Sequence, residues 1–340
     1  MPALSNVLLK GSDKGLSITA TDLEVELVAQ LDIKLAEEGD TTVPARKLLD
    51  ICRSLPDQAE IEISTNEEKV KVRSGRSRFT LASLPAEDFP TIDDLELEQS
   101  VTISENDLRN LIEKTAFGMA QQDVRYYLNG MLMEVDAEMI RTVATDGHRL
   151  ALSEQAHKSD SEEARQIIIP RKGVQELQRL LSQEDNEISV ALGKNHIRVN
   201  LSNLQFTSKL IDGRFPEYQR VLPEAEGNRG VMDKALLKQS LTRASILSNE
   251  KYKGIRLILD NDTLTIQAHN PEHEEAEDEM PIKYQGERLE VGFNVVYLLD
   301  VLNVLESKEV EVIIKDANSS ALIVTPESHA NRYVVMPMRL

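Results

Sequence analysis

The residues able to do chemistry are few, and their spacing argues against catalysis. His269-Asn270-Pro271-Glu272-His273-Glu274 gathers imidazoles and carboxylates that could meet a metal. It lacks the His-Glu-x-x-His spacing that sets two imidazoles on one helix face. Asp146 and His148 could pair as acid and base, but in the other copies of a repeat that runs through the chain the same positions hold Asp22 with Glu24 and Asn270 with Glu272, so no shared pair emerges. Cys52, the single cysteine, falls within a helical pattern where a packed thiol is the expected role. One cysteine excludes an intramolecular disulfide and a cysteine-rich zinc site, and fits a reducing cytoplasm. Neither a phosphate-binding glycine loop nor a Gly-x-Ser-x-Gly elbow occurs. The expectation is a non-catalytic chain with no cofactor and no metal.

The elements around these residues are organised by repetition. Leu16-Ser17-Ile18-Thr19-Ala20-Thr21-Asp22, Ile140-Arg141-Thr142-Val143-Ala144-Thr145-Asp146 and Leu264-Thr265-Ile266-Gln267-Ala268-His269-Asn270 align without gaps, their alanines 124 residues apart. Each reads as a strand ending in a turn. Phe79, Phe206 and Tyr333 repeat in phase at intervals of 127. A solenoid period is about 20 to 50 residues, so this one means three similar domains in tandem. Their bounds are placed at 1–98, 99–227 and 228–340. Alternating runs at 69–73, 187–191 and 309–314 predict half-buried strands. Amphipathic helices are predicted near 44–55, 104–119, 170–182, 233–246 and 294–306, with Pro44 and Pro170 in the first turn. The fold class is α+β. Domains two and three each open with a helix ahead of the strand holding Met131 or Ile255. By that count the first domain lacks a leading strand and helix of about 25 residues, as a truncated gene reading from an internal methionine at Met1 would leave it.

Charge is segregated by element type. The 340 residues carry a net −19, which on its face argues against nucleic acid. Yet the helices at 44–55, 170–182 and 233–246 each sum to +2, those at 104–119 and 294–306 sum to −1 and −2, and the remainder of the chain carries −22. A basic helix face is often ordinary solvated surface. Equal excesses in three repeats suit loose, sequence-independent contact with phosphates, through Arg46, Lys47, Arg53, Arg171, Lys172, Lys234, Lys238 and Arg243. No stretch approaches about 18 uncharged apolar residues, and the first nine residues lack a basic leader.

Several long motifs occur in order. Thr142-Val143-Ala144-Thr145-Asp146-Gly147-His148-Arg149-Leu150-Ala151, Ile169-Pro170-Arg171-Lys172-Gly173, Asp212-Gly213-Arg214-Phe215-Pro216 and Tyr333-Val334-Val335-Met336-Pro337-Met338-Arg339-Leu340 closely resemble the bacterial DNA polymerase III beta subunit family, the sliding clamps. The resemblance covers the entire chain. It implies three tandem DNA-clamp domains, with helices on an inner face and antiparallel sheets outside. Two subunits would join head to tail as a homodimer ring around double-stranded DNA. Further implied partners are the DNA polymerase III catalytic subunit, a clamp loader, and other polymerases and repair factors. These would dock short peptides in a hydrophobic cleft between the second and third domains. Matched to one part of that cleft are Leu128, Thr145, Gly147, His148, Arg149, Leu150, Pro216 and Val221. Asn318, Ser320, Val334, Val335, Met336, Pro337, Met338 and Arg339 match the other, Asn318 standing where a more apolar residue is expected. The resemblance adds Gln122, Tyr127 and Arg214 to the DNA contacts. It sets Phe79 and Leu81 against Ile246 and Leu247 of a partner, with Lys47, Arg76 and Arg78 facing Glu272, Glu274, Glu275, Glu277 and Asp278. An acidic protein scaffold that never touches DNA is the competing reading.

Overall fold

A computed structural model describes residues 2–66, 69–92, 95–157 and 164–339; Met1 and Leu340, named above, lie outside the described residues. The first third runs β1 (Asn6–Ser12), β2 (Gly15–Thr21), β3 (Val25–Leu31), β4 (Gly39–Pro44), α1 (Ala45–Ser54), β5 (Glu62–Asn66), β6 (Lys69–Ser74) and β7 (Ser77–Ala82). The second runs β8 (Leu97–Ser104), α2 (Glu105–Thr115), β9 (Gly130–Val135), β10 (Met139–Thr145), β11 (Arg149–Ala156), β12 (Arg165–Pro170), α3 (Arg171–Leu180), β13 (Glu187–Gly193), β14 (His196–Asn200) and β15 (Leu204–Lys209). The last runs β16 (Asn228–Asp233), α4 (Lys234–Ser245), β17 (Gly254–Asp260), β18 (Thr263–His269), β19 (Glu275–Pro281), β20 (Lys283–Gln285), β21 (Leu289–Asn294), α5 (Val295–Val304), β22 (Glu309–Ile314), β23 (Ala321–Thr325) and β24 (Ser328–Val335). All five predicted helices are present, each shorter at its ends. β8 begins at Leu97, ahead of the boundary read at 98.

Local chemistry accounts for these elements. Pro44 and Pro170 precede α1 and α3, where a missing N–H costs nothing. Asp233 and Asn294 cap α4 and α5, their side chains accepting from the N–H groups of Leu236 and Val296 at 2.8 and 2.9 Å. The repeat extends to turn chemistry. Thr21 Oγ1 donates to the Val25 carbonyl and Asp22 Oδ1 accepts from two N–H groups; Thr145 and Asp146 do the same toward Arg149 and His148. The residue after the aspartate has φ 77° at Leu23 and φ 88° at Gly147, a region that suits only the glycine.

The chain forms two compact units, Met1–Ser104 with Asn186–Leu210, and Glu105–Asp185 with Ile211–Leu340. The first holds an antiparallel eight-stranded sheet, β4-β1-β2-β3-β15-β14-β13-β8, and a three-stranded sheet, β5-β6-β7. α1 packs Leu48 and Ile51 onto Val7, Leu9, Val43, Val70 and Val72. The second unit holds a nine-stranded sheet, β12-β9-β10-β11-β24-β23-β22-β16-β20, and a four-stranded one, β19-β18-β17-β21. Successive repeats are thus stitched edge to edge, β3 to β15 and β11 to β24.

Candidate functional site

In the second unit, strand register lays out an apolar floor. Thr145 faces Leu150 across β10 and β11, Leu150 faces Val334, Val334 faces Leu322, and Leu322 faces Ile313. The last four side chains share one buried cluster with Leu128, Phe215 and Tyr218. Around it stand Pro216, Val221 and Met336, all exposed. Ser320 is half-buried just ahead of β23, and Asn318 lies exposed in a turn, its N–H donated to Asp316 Oδ1 at 2.8 Å. The Met336 N–H reaches the His148 carbonyl at 2.9 Å, which brings the tail to the Thr145–Arg149 turn. The sequence motifs therefore converge on one place.

Side-chain alternation divides the predicted set. Arg149 faces Val335, and the two lie on the sheet face opposite Leu150 and Val334. Val335 is fully buried in another core with Ala151 and Tyr333, so it does not line the floor. Arg149 is almost entirely buried and committed internally. Its guanidinium donates to Asp146 Oδ2 at 3.1 Å, to the Phe117 carbonyl at 2.9 Å and to Asp300, and lies over the rings of Phe117 and Tyr297 at 5.2 and 4.5 Å. It is a fixed joint between the Thr145–Arg149 turn, Phe117 and α5. His148 stacks on Tyr297, ring centres 6.5 Å apart. Burial, with Asp146 next, pushes the Tyr297 hydroxyl above its ordinary pKa. Beyond Pro337 the tail turns to β21, where the Met338 N–H donates to the Gly292 carbonyl at 2.7 Å. Met338 and Arg339 line a separate pocket of about 410 Å³ with Asn249, Tyr252 and His269.

The loop ahead of β9 is cross-linked by hydrogen bonds among Asp123, Arg125 and Asn129. Asp123 accepts from the Arg125 backbone and guanidinium at 2.8 to 3.0 Å, and the side-chain bond to Arg125 holds its carboxyl at about 2. Tyr127 packs half-buried against the floor cluster, while Gln122 is exposed at φ 55°. Arg214 is exposed and pairs with Glu217 at 3.2 Å.

The basic helix residues fall into two groups. Arg46, Lys47, Arg53, Lys172 and Lys238 are exposed, Arg46 beside Asp50 at 3.3 Å. Three others are held by neighbouring groups. Arg171 donates to the Met119 carbonyl at 3.1 Å, Lys234 to the Leu305 carbonyl at 2.7 Å, and Arg243 to Asp278 Oδ2 at 2.6 Å. Their charges tie helices to neighbouring backbone or strand, which net charge alone does not reveal.

The residues assigned to a subunit contact are also placed. β7 and β19 are both edge strands. Arg76 and Arg78 are exposed by one, and Glu272, Glu274, Glu275 and Glu277 by the other. Asp278 instead meets Arg243 of its own chain, whose hydrogen bond lowers its pKa. Ile246 is three-quarters exposed, a large apolar side chain left in water; Leu247 and Phe79 are half-buried, and Leu81 is a core residue.

Family models for the DNA polymerase III beta subunit match the chain in order: the N-terminal domain at residues 1–93, the central domain at 102–217 and the C-terminal domain at 219–339. The chain belongs to the DNA polymerase III beta subunit family. It is 52% identical over 341 residues to a beta sliding clamp of Pseudomonas aeruginosa and 50% identical to that of Escherichia coli K12, covering all of this chain and 93% of each relative. A crystal structure of the Pseudomonas aeruginosa beta subunit superposes with a TM-score of 0.98 at 52% identity, over 100% of this chain and 93% of that one. A Pseudomonas aeruginosa clamp bound to griselimycin superposes at 0.96, also at 52% identity, over 100% and 92%. The three repeats are thus three clamp domains, and the family is the non-catalytic subunit of the polymerase.

Sequence reasoning missed Phe117, Tyr297 and Asp300, which hold Arg149 and His148. Tyr297 and Asp300 stand three residues apart on α5, on one helix face, and that spacing was the available signal.

Proposed function

We propose that this chain is a cytoplasmic DNA sliding clamp and processivity factor. Its domains, bounded near residues 98 and 227, close with a second copy into a ring around duplex DNA. Weak, mobile phosphate contacts from Arg46, Lys47, Arg53, Lys172 and Lys238 permit sliding while the ring keeps the DNA topologically enclosed. A polymerase tethered to such a ring stays at high effective concentration near the primer end. Its catalytic subunit, a clamp loader, and other polymerases and repair factors dock by short peptides. The observation that carries this reading is the apolar floor of Leu128, Leu150, Leu322 and Val334, rimmed by exposed Val221, Pro216 and Met336. Leucine, valine and flexible methionine accept peptides of varied sequence. The homodimer is read from the complementary edges, basic at β7 and acidic at β19, with Ile246 uncovered beside the latter's helix.

Fluorescence anisotropy with a labelled apolar clamp-binding peptide tests the cleft. Val221→Glu, an exposed position, leaves the melting temperature unchanged and weakens the peptide at least about tenfold, and griselimycin competes with it. Unchanged affinity in Val221→Glu and Met336→Asp together would remove the cleft from this account.

A further inference from the structure

Successive repeats join edge to edge twice, and the two junctions carry opposite chemistry at the same positions. Where β11 joins β24, the apolar floor of the cleft is the cross-strand row Leu150, Val334, Leu322 and Ile313. Where β3 joins β15, the strand order is the same, β3-β15-β14-β13 against β11-β24-β23-β22. The matching row there is Glu26, Thr207, Arg198 and Ala191. Glu26 and Arg198 stand 124 residues ahead of Leu150 and Leu322, and Thr207 stands 127 ahead of Val334. The wall is repeated as well. Phe89-Pro90 precedes Phe215-Pro216 by 126 residues, and both phenylalanines are 5% exposed.

The row in the first unit opens on a cavity of about 730 Å³, lined by Lys10, Thr19, Glu26, Val28, Phe89 and Arg198 among others. Its frame is that of the cleft, but its floor is charged. Glu26 is 4% exposed, as deeply placed as Leu150, and its Oε2 accepts from the Ile92 N–H at 2.8 Å. Arg198 is half-buried, its Nε donating to Thr207 Oγ1 at 3.2 Å. Burial lowers the Arg198 pKa and Glu26 opposes that shift, so each charge lies within the other's field. An apolar side chain laid across this row would strip water from a carboxylate and a guanidinium while offering neither a hydrogen bond. On Leu150 and Leu322 the same side chain strips water only from hydrocarbon.

We propose that Glu26, Thr207 and Arg198 are specificity residues: they close the first junction to apolar clamp-binding peptides and so leave each chain one peptide seat. This selectivity presupposes the peptide cleft proposed above for the floor of Leu150, Leu322 and Val334. Discrimination between two sites comes from the one that rejects as much as from the one that accepts. Shape alone would supply two seats per chain, since strand order, register and the Phe-Pro wall are shared. Three side chains remove one of them. A partner's peptide is thereby directed to the floor beside Val221 and Met336 instead of being divided between two places.

Isothermal titration of the apolar clamp-binding peptide counts the seats. The parent chain takes one peptide. The variant Glu26→Leu with Thr207→Val and Arg198→Leu, which installs the row of the cleft, takes two, the second within about tenfold of the first in affinity. Hydrogen exchange of loop 84–92 slows on peptide binding in this variant alone. The reciprocal exchange, Leu150→Glu with Leu322→Arg, requires no new seat to form: it weakens the parent's site at least about 100-fold, with the circular dichroism of the folded chain retained. A folded triple variant that binds one peptide, a parent that binds a second with protection of loop 84–92, or a reciprocal exchange that binds like the parent would each overturn the proposal. A parent that binds no peptide gives a different result, refuting the cleft on which the selectivity rests.

Discussion

Replacing Arg149 with methionine removes a guanidinium while keeping most of its length. In the structure this side chain is 12% exposed and meets two carboxylates, Asp146 and Asp300, which are themselves 17% and 30% exposed. Removing one partner of a largely buried ion pair costs about 3 to 5 kcal/mol, because the remaining charge stays desolvated. The Phe117 carbonyl loses its donor as well, and two ring faces lose their cation. Partial exposure of Asp300 lets water offset some of this, so the expected loss is about 3 kcal/mol, or roughly 6 to 12 °C in the melting of a unit this size. Differential scanning calorimetry reads the temperature, and urea titration reads the free energy. Asp300→Asn provides the second corner of a double-mutant cycle, with a coupling of at least about 1 kcal/mol. An Arg149→Met chain that melts within 2 °C of the parent, with no coupling to Asp300, would refute the reading of Arg149 as a joint.

Three further outcomes are expected. Tyr333 is fully buried and its hydroxyl has no hydrogen-bond partner among the described residues, while the same position in the other domains is Phe79 and Phe206; Tyr333→Phe therefore gains about 1 kcal/mol in urea unfolding. Asp136 is held at about 2 by the Glu138 N–H and then by Arg141. A carboxyl lowered from about 3.9 adds stability above pH 4 and loses it as the pH falls toward 2, so Asp136→Asn flattens the acid limb of a stability-pH curve. Ile246→Glu puts a charge where a partner's apolar surface is expected, raising the dimer dissociation constant by at least about 100-fold in sedimentation analysis without moving the monomer's melting temperature.

Much of the architecture was legible because the signals were local or repeated. Proline starts marked α1 and α3, amphipathic patterning marked all five helices, period-two alternation located β6, β13 and β22, and the 124-residue spacing gave the three domains. The tail and the Thr145–Arg149 turn could be matched by motif, and β11 pairing with β24 explains why distant motifs form one floor. What escaped is what depends on side-chain direction in three dimensions. Val335 and Arg149 sit one residue from floor positions and face the other way. Arg171, Lys234 and Arg243 count as positive charge in a helix sum, yet each is held by a carbonyl or carboxylate from a distant element. Leu81 reads as an edge residue and packs as core, since alternation assigns a face only once the partner strands are known.

The central claim is enclosure of DNA, and topology tests it directly. The chain, loaded with its loader onto a nicked circular plasmid, is followed by gel filtration before and after a single cut. Retention on the circle for minutes, with release within seconds of linearisation at the same salt, is the predicted result. Equal release from circular and linear molecules would contradict it and leave the acidic scaffold as the better description.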